Sequence, residues 1–198
     1  WYNFAIGQGW SEDPVRDRQI ALRTIDDALG MDSSNALAWT IKGLILGYIE
    51  KQFDVARESY LAALQANPNE PLAWLGQSTL NAWTGRGEEA IASALTALSL
   101  SPFDPMKYYF DSMTSVAMLA ARRYDKAIEF ASHSLRMNRA FSSTYKTLAE
   151  AQFLSGDVPA ARETVQALLL VEPAFGQPDD LEAIDGVGPM LRALLHDA

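Results

Sequence analysis

Small and apolar residues recur along this chain at two periods. The long period is close to 34 residues: Ala21, Ala56, Ala90, Ala127 and Ala161 follow one another in steps of 35, 34, 37 and 34. Seven residues after each stands Ala28, Ala63, Ala97, Ser134 or Leu168, and five further on Ser33, Pro68, Pro102, Arg139 or Pro173. Seven residues is about two helical turns, so each pair shares one helix face. The prolines close that helix, since Pro cannot continue it. An aromatic opens the segment after each closure (Trp39, Trp74, Tyr108, Tyr145), with a small residue four positions on: Gly43, Ser78, Ser112 and Ala149. Each unit therefore reads as a hairpin of a first helix (A), a short turn and a second helix (B). The small residues let helices approach closely, and the aromatic fills the space between neighbouring hairpins. Four full units and one partial unit are expected. The partial one has Trp1–Trp10 as the remnant of helix A and Pro14–Gly30 as helix B.

Turn signals agree with these boundaries. Gly85-Arg86-Gly87-Glu88-Glu89 and Ser155-Gly156-Asp157-Val158-Pro159 join A to B in their units, with Asp157 a candidate N-cap. The 108–139 unit departs from the rest. Its helix A region is expected to be three residues longer, and Arg139 replaces the Pro.

Composition narrows the chemistry. An Ala- and Leu-rich chain favours an all-helical protein. With 16 basic and 25 acidic side chains, the net charge is −9. That works against nucleic acid and anionic membrane surfaces as main partners. No cysteine is present, which excludes disulfides, thiolate catalysis and Cys-ligated metals. The most apolar stretch, Gly43 to Ile49, lies between Lys42 and Glu50, far short of the about 20 residues of a membrane span. A start at Trp1 without a basic region or cleavage site reads as a fragment of a longer protein, without a signal peptide and cytoplasmic.

Candidate catalytic groups are few. His133 and His196 are the two histidines. A general base is one reading of His133; a partly exposed helix residue is the other and the preferred one. His196, close to the C-terminus, is read the same way. The acidic runs Asp26-Asp27, Glu88-Glu89 and Asp179-Asp180 fall at helix ends or on solvent faces. No Gly-rich phosphate loop follows a strand. The expectation is no enzyme, no metal and no cofactor.

The aromatic, small, Ala, Ala, Pro pattern resembles the tetratricopeptide repeat (TPR) over about residues 1–173. The resemblance implies an all-α solenoid of TPR hairpins, wound as a right-handed superhelix, whose A helices line a concave protein-binding groove. Carried onto this chain, the groove positions are Leu37, Thr40, Leu44 and Tyr48, then Leu72, Leu75, Thr79 and Trp83. Met106, Tyr109, Met113 and Ala117 follow, and last Ser143, Lys146, Glu150 and Leu154. Within each set the spacing is 3, 4, 4, one helical stripe. Of the Lys and Asn clamp with which some TPR domains hold C-terminal carboxylates, Lys146 alone stands at a suitable place. A mostly apolar groove suits an amphipathic helix or a segment of the same protein; it also suits a homodimer, with Met106 and Met113 as adaptable contacts. Tight packing of the stripes on one another is a further alternative. Trp83 and Tyr48 are the foremost contact candidates.

Beyond Pro173 the repeat ends, and Phe175-Gly176-Gln177-Pro178 reads as a linker. Residues 174–198 are read as a short helical cap on the last repeat. The turn Gly186-Val187-Gly188 resembles a helix-hairpin-helix, which would imply contact with DNA phosphate; the local acidity opposes it. The run Leu98-Ser99-Leu100-Ser101-Pro102-Phe103-Asp104-Pro105, with Ala121-Arg122-Arg123-Tyr124-Asp125-Lys126-Ala127, resembles a TPR subgroup. That subgroup is the C-terminal region of bacterial adenylate/guanylate cyclases and winged-helix transcriptional regulators. It implies a regulatory module that binds a peptide, a protein or its own output domain.

Overall fold

Local signals place the helix starts. Asp13, Asn35, Glu70 and Asp157 each stand just before a helix and accept a hydrogen bond from a backbone N–H of its first turn. Pro14 and Pro71 follow two of these caps, where a missing N–H costs nothing. A computed structural model describes residues 11–176; the remnant expected at Trp1–Trp10 and everything from Gln177 on, including Gly186-Val187-Gly188 and His196, lie outside the described residues. Among the described residues there are nine α-helices and no strand. They are α1 (Pro14–Met31), α2 (Ala36–Leu44, continued by a π turn at Ile45–Ile49), α3 (Phe53–Ala66), α4 (Pro71–Trp83) and α5 (Gly87–Leu100). Then come α6 (Lys107–Ala120), α7 (Tyr124–Met137), α8 (Ser142–Leu154) and α9 (Val158–Val171), closed by a 3-10 turn at Pro173–Gly176.

The four full hairpins are α2–α3, α4–α5, α6–α7 and α8–α9, with α1 as the B helix of the partial unit. The A helices α2, α4, α6 and α8 touch both their own partners and one another in series, whereas no two B helices come into comparable contact. Helices that meet on one side and splay on the other form a curved stack with the A helices inside.

Each A-to-B turn carries one residue in the left-handed region: Lys51 (φ 56°), Gly85 (76°), Arg122 (58°) and Gly156 (94°). In the last three turns the next N–H reaches back to a carbonyl of the A helix (Arg86 to Asn81, Arg123 to Met118, Asp157 to Gln152), closing a Schellman motif. Glycine fills this position freely; Lys51 and Arg122 hold it at a cost.

The aromatic that opens an A helix latches backwards as well as filling space. The Trp39 and Trp74 indoles donate to the carbonyls of Ser33 (2.9 Å) and Pro68 (2.8 Å), and the Tyr145 hydroxyl to that of Arg139 (3.0 Å). A carbonyl is the acceptor, so Arg139 serves as well as proline.

The uneven steps have physical explanations. The 35-residue step carries its extra residue in the π turn Ile45–Ile49, where Gln52 donates to Leu46 across a widened loop. The 37-residue step differs from the expectation of a longer helix A. α6 has 14 residues against 13 for α4 and α8. The rest goes into the junction 101–106, against 67–70 and 138–141 elsewhere. Asp104 organises that junction, accepting from the Ser101 hydroxyl and the Met106 N–H at 2.8 Å each.

The repeated alanines are the core. Ala56, Ala90, Ala127 and Ala161 are fully buried, and Ala21 nearly so. Gly43 and Gly76 flank the ring of buried Tyr60, and a Cβ added at Gly43 would lie 2.6 Å from it. Two glycines on successive A helices thus make the slot that one B-helix tyrosine fills. The third hairpin packs differently, with polar groups satisfied internally. The Thr144 hydroxyl donates to Ser112 (2.9 Å) and lies 3.2 Å from Ser134, which donates to the Tyr108 carbonyl (2.7 Å).

Phe175 corrects the sequence reading of a linker. It is fully buried against Tyr145, Ala149, Ala161, Val165 and Leu168, so the core extends past Pro173.

Candidate functional site

The A-helix stripes form a grid of four columns, one residue per helix. The first, Leu37, Leu72, Met106 and Ser143, is open, with Leu37 and Met106 exposed. The second holds Thr40, Leu75, Tyr109 and Lys146. Thr40 and Leu75 are closed off, and the Thr40 hydroxyl is spent on the Ala36 carbonyl. In the third, Leu44, Thr79 and Met113 are buried and Glu150 is partly so. The fourth has Ala117 buried, Tyr48 partly buried, and Trp83 and Leu154 exposed by 40% and 43%. The structure therefore splits the sixteen: some join helix to helix, and others face outward.

The stripes of α2, α4 and α6 converge on one aromatic cluster. Tyr48 meets Trp83 edge-on with ring centroids 4.6 Å apart, and Phe53 packs at 5.9 Å. The Tyr48 hydroxyl donates to Met113 Sδ at 3.2 Å and also interacts with Thr79 and Tyr109. Lys51 Nζ stands 5.2 Å from the Trp83 ring centroid, in cation–π range. Burial holds the Tyr48 and Tyr109 hydroxyls above their ordinary values. The π turn lies next to this cluster and includes Tyr48. Lys51 and Phe53 were not anticipated as site residues. Their signal, an aromatic just after the A-to-B turn beside a left-handed lysine, is visible in sequence only once the turn is placed.

The stripe of α8 is of another kind. Lys146 Nζ lies 3.3 Å from both carboxylate oxygens of Glu172, with hydrogen-bond geometry to Oε1 alone, and 4.5 Å from the Phe175 ring centroid. It is committed to the closing turn and is not a free clamp. One turn on, partial burial raises the Glu150 carboxyl, and among the described residues no charge or hydrogen bond offsets that rise.

His133 is more engaged than a solvated helix residue. Its Nδ1 lies 2.5 Å from Asp111 Oδ2, while Lys107 Nζ holds Oδ1 at 2.8 Å. Asp111 is 1% exposed, so a lysine and an imidazole are gathered on one buried carboxylate. The triad ties α6 to α7. It pairs a base with an orienting carboxylate, but no nucleophile hydrogen-bonded to the imidazole is observed among the described residues. Among the described residues no group of three His, Asp or Glu side chains could hold a metal. No described helix is long and apolar enough to cross a membrane.

Comparison with known proteins supports the fold. A family model described as tetratricopeptide repeat matches residues 51–105. No curated protein matches the sequence. Among solved structures, PilW, described as a widely conserved type IV pilus biogenesis factor, is 25% identical with a TM-score of 0.73. That alignment covers 92% of this chain and 80% of PilW. Pseudomonas aeruginosa PilF is 18% identical (TM-score 0.65, covering 98% of this chain and 88% of PilF). YrrB, described as a TPR protein with an unusual peptide-binding site, is 14% identical (TM-score 0.58, covering 87% and 91%). The fold is an all-α TPR-type solenoid.

Proposed function

We propose that this chain is a protein-binding module that holds a peptide or protein segment on its A-helix face, anchored on Trp83 and Tyr48. One observation carries this reading. Trp83 is substantially exposed, yet Tyr48, Phe53 and Lys51 hold its ring in place. An exposed aromatic that is already ordered loses little conformational freedom on binding, which is the character of a hot spot. Leu37 and Met106 leave apolar surface at the other end of the same face, and Met113 and Tyr109 pack beneath Tyr48. The reading is in keeping with YrrB, a TPR protein described as having a peptide-binding site, though an unusual one. On this reading the chain runs no reaction and needs no cofactor.

In context, we place the module as the regulatory C-terminal part of a larger bacterial signalling or transcription-regulating protein in the cytoplasm, acting on its own output domain or a separate partner. The likeness to PilW favours a second reading, a scaffold in the assembly of a larger machine. The test is a peptide library screened against the purified chain. Combined Trp83→Ala and Tyr48→Ala should weaken the binders by about 10- to 100-fold while the helical circular dichroism persists. Unchanged affinity in that variant removes the groove from the proposal. A mass that doubles with concentration, and no longer does so in the variant, places a second copy of the chain there instead.

A further inference from the structure

We propose that the groove selects a basic partner: a segment that sets an apolar side chain against Trp83 and Tyr48 and a lysine or arginine against Glu150. This rests on the groove reading above and adds the chemistry of the occupant.

Charge on the grid favours such a partner. Of the sixteen grid positions only Lys146 and Glu150 carry charge. Lys146 is neutralised by Glu172 and covered by the Phe175 ring. Glu150 is left as the unneutralised charge of the grid. It is half-buried, and among the described residues no ion pair or hydrogen bond is made to it, so burial acts on it unopposed. A carboxylate in that state gains more from an incoming cation than an open surface carboxylate does, because its desolvation is already partly spent. At the other end Lys51 is drawn over Trp83, so the two ends differ in sign and impose a direction on the bound segment.

The same charges disfavour other occupants. A second copy brings a net charge of −9 against −9. The chain's own residues 174–198 hold five acids (Asp179, Asp180, Glu182, Asp185, Asp197) and one arginine, Arg192. Nucleic acid meets the wrong field.

The experiment is selection of a random peptide library on the wild-type chain and on Glu150→Gln, Glu150→Lys and Trp83→Ala. Glutamine keeps the shape and is cheaper to bury, so Glu150→Gln folds at least as well as wild type. Wild-type binders should be enriched in Lys and Arg. A lysine-bearing binder should lose about tenfold in affinity to Glu150→Gln, and its Lys→Gln derivative about twofold or less. Glu150→Lys should turn the selection toward Asp and Glu. Binders that require Trp83 but show the same charge profile on wild type and Glu150→Gln overturn this inference and leave the groove reading standing. Binders indifferent to Trp83→Ala overturn both. Self-association abolished by Trp83→Ala puts a second copy in the groove and overturns the basic partner.

Discussion

The two ends of the A-helix face are built on opposite principles. From α2 to α6 it is aromatic: Tyr48, Trp83, Tyr109 and Met113 come from three helices and meet side by side. On α8 it is polar and ionic, and its lysine is turned away from the groove to the closing turn. In the first part, outward-facing residues rest on buried ones, so surface and core are one structure. In the second, the buried side is finished by Phe175, from beyond the last helix, and the surface side by charge. A repeat with a neighbour on each side can spend its A face on contact between helices. The last described repeat is closed by the turn Pro173–Gly176, whose Phe175 enters its core.

Four substitutions probe that contrast. The largest effect is expected at Tyr60, whose ring fills the slot between Gly43 and Gly76. Tyr60→Ala should cost about 3–5 kcal/mol in urea unfolding, as buried aromatics do, and should lower peptide binding by loosening the cluster's floor. Full stability in that variant would break the idea that core and surface are coupled at this end. Phe175→Ala should cost about 2–4 kcal/mol. Its signature is local: faster amide exchange in α8 and α9, with protection in α2 to α4 unchanged. Uniform loss of protection would show that the two ends are one cooperative unit. The smallest effect sharpens the comparison of turns. Arg122→Gly should raise stability by about 0.5–1 kcal/mol by relieving a left-handed non-glycine residue. Lys51→Gly should gain less, because it also removes the cation over Trp83. Equal gains at both sites would mean that contact contributes nothing to the fold.

The fold was legible because its signals are local and repeated. Alanine spacing, turn glycines and the Asp157 cap state helix faces and ends without reference to distant residues. The groove was legible as a set of positions but not as a surface. Spacing puts Thr40 and Trp83 on equivalent stripes; packing closes one and opens the other. Lys146 passes in sequence for a free cation, because the partner that occupies it, Glu172, lies a full hairpin away. Asp111 and His133 give no local sign that they meet. Nor does a 35-residue step say whether its extra residue goes to a loop or to a π turn.

What the sequence determined by itself was the hairpin period, the all-helical class and the poverty of catalytic groups, since each depends on residue type and near spacing. What the tertiary structure decided was which side chains of the A helices remain available. That depends on how neighbouring hairpins meet: Tyr48 and Phe53 support the ring of the exposed Trp83, and Lys146, one turn from Glu150, is drawn off it by Glu172 and Phe175.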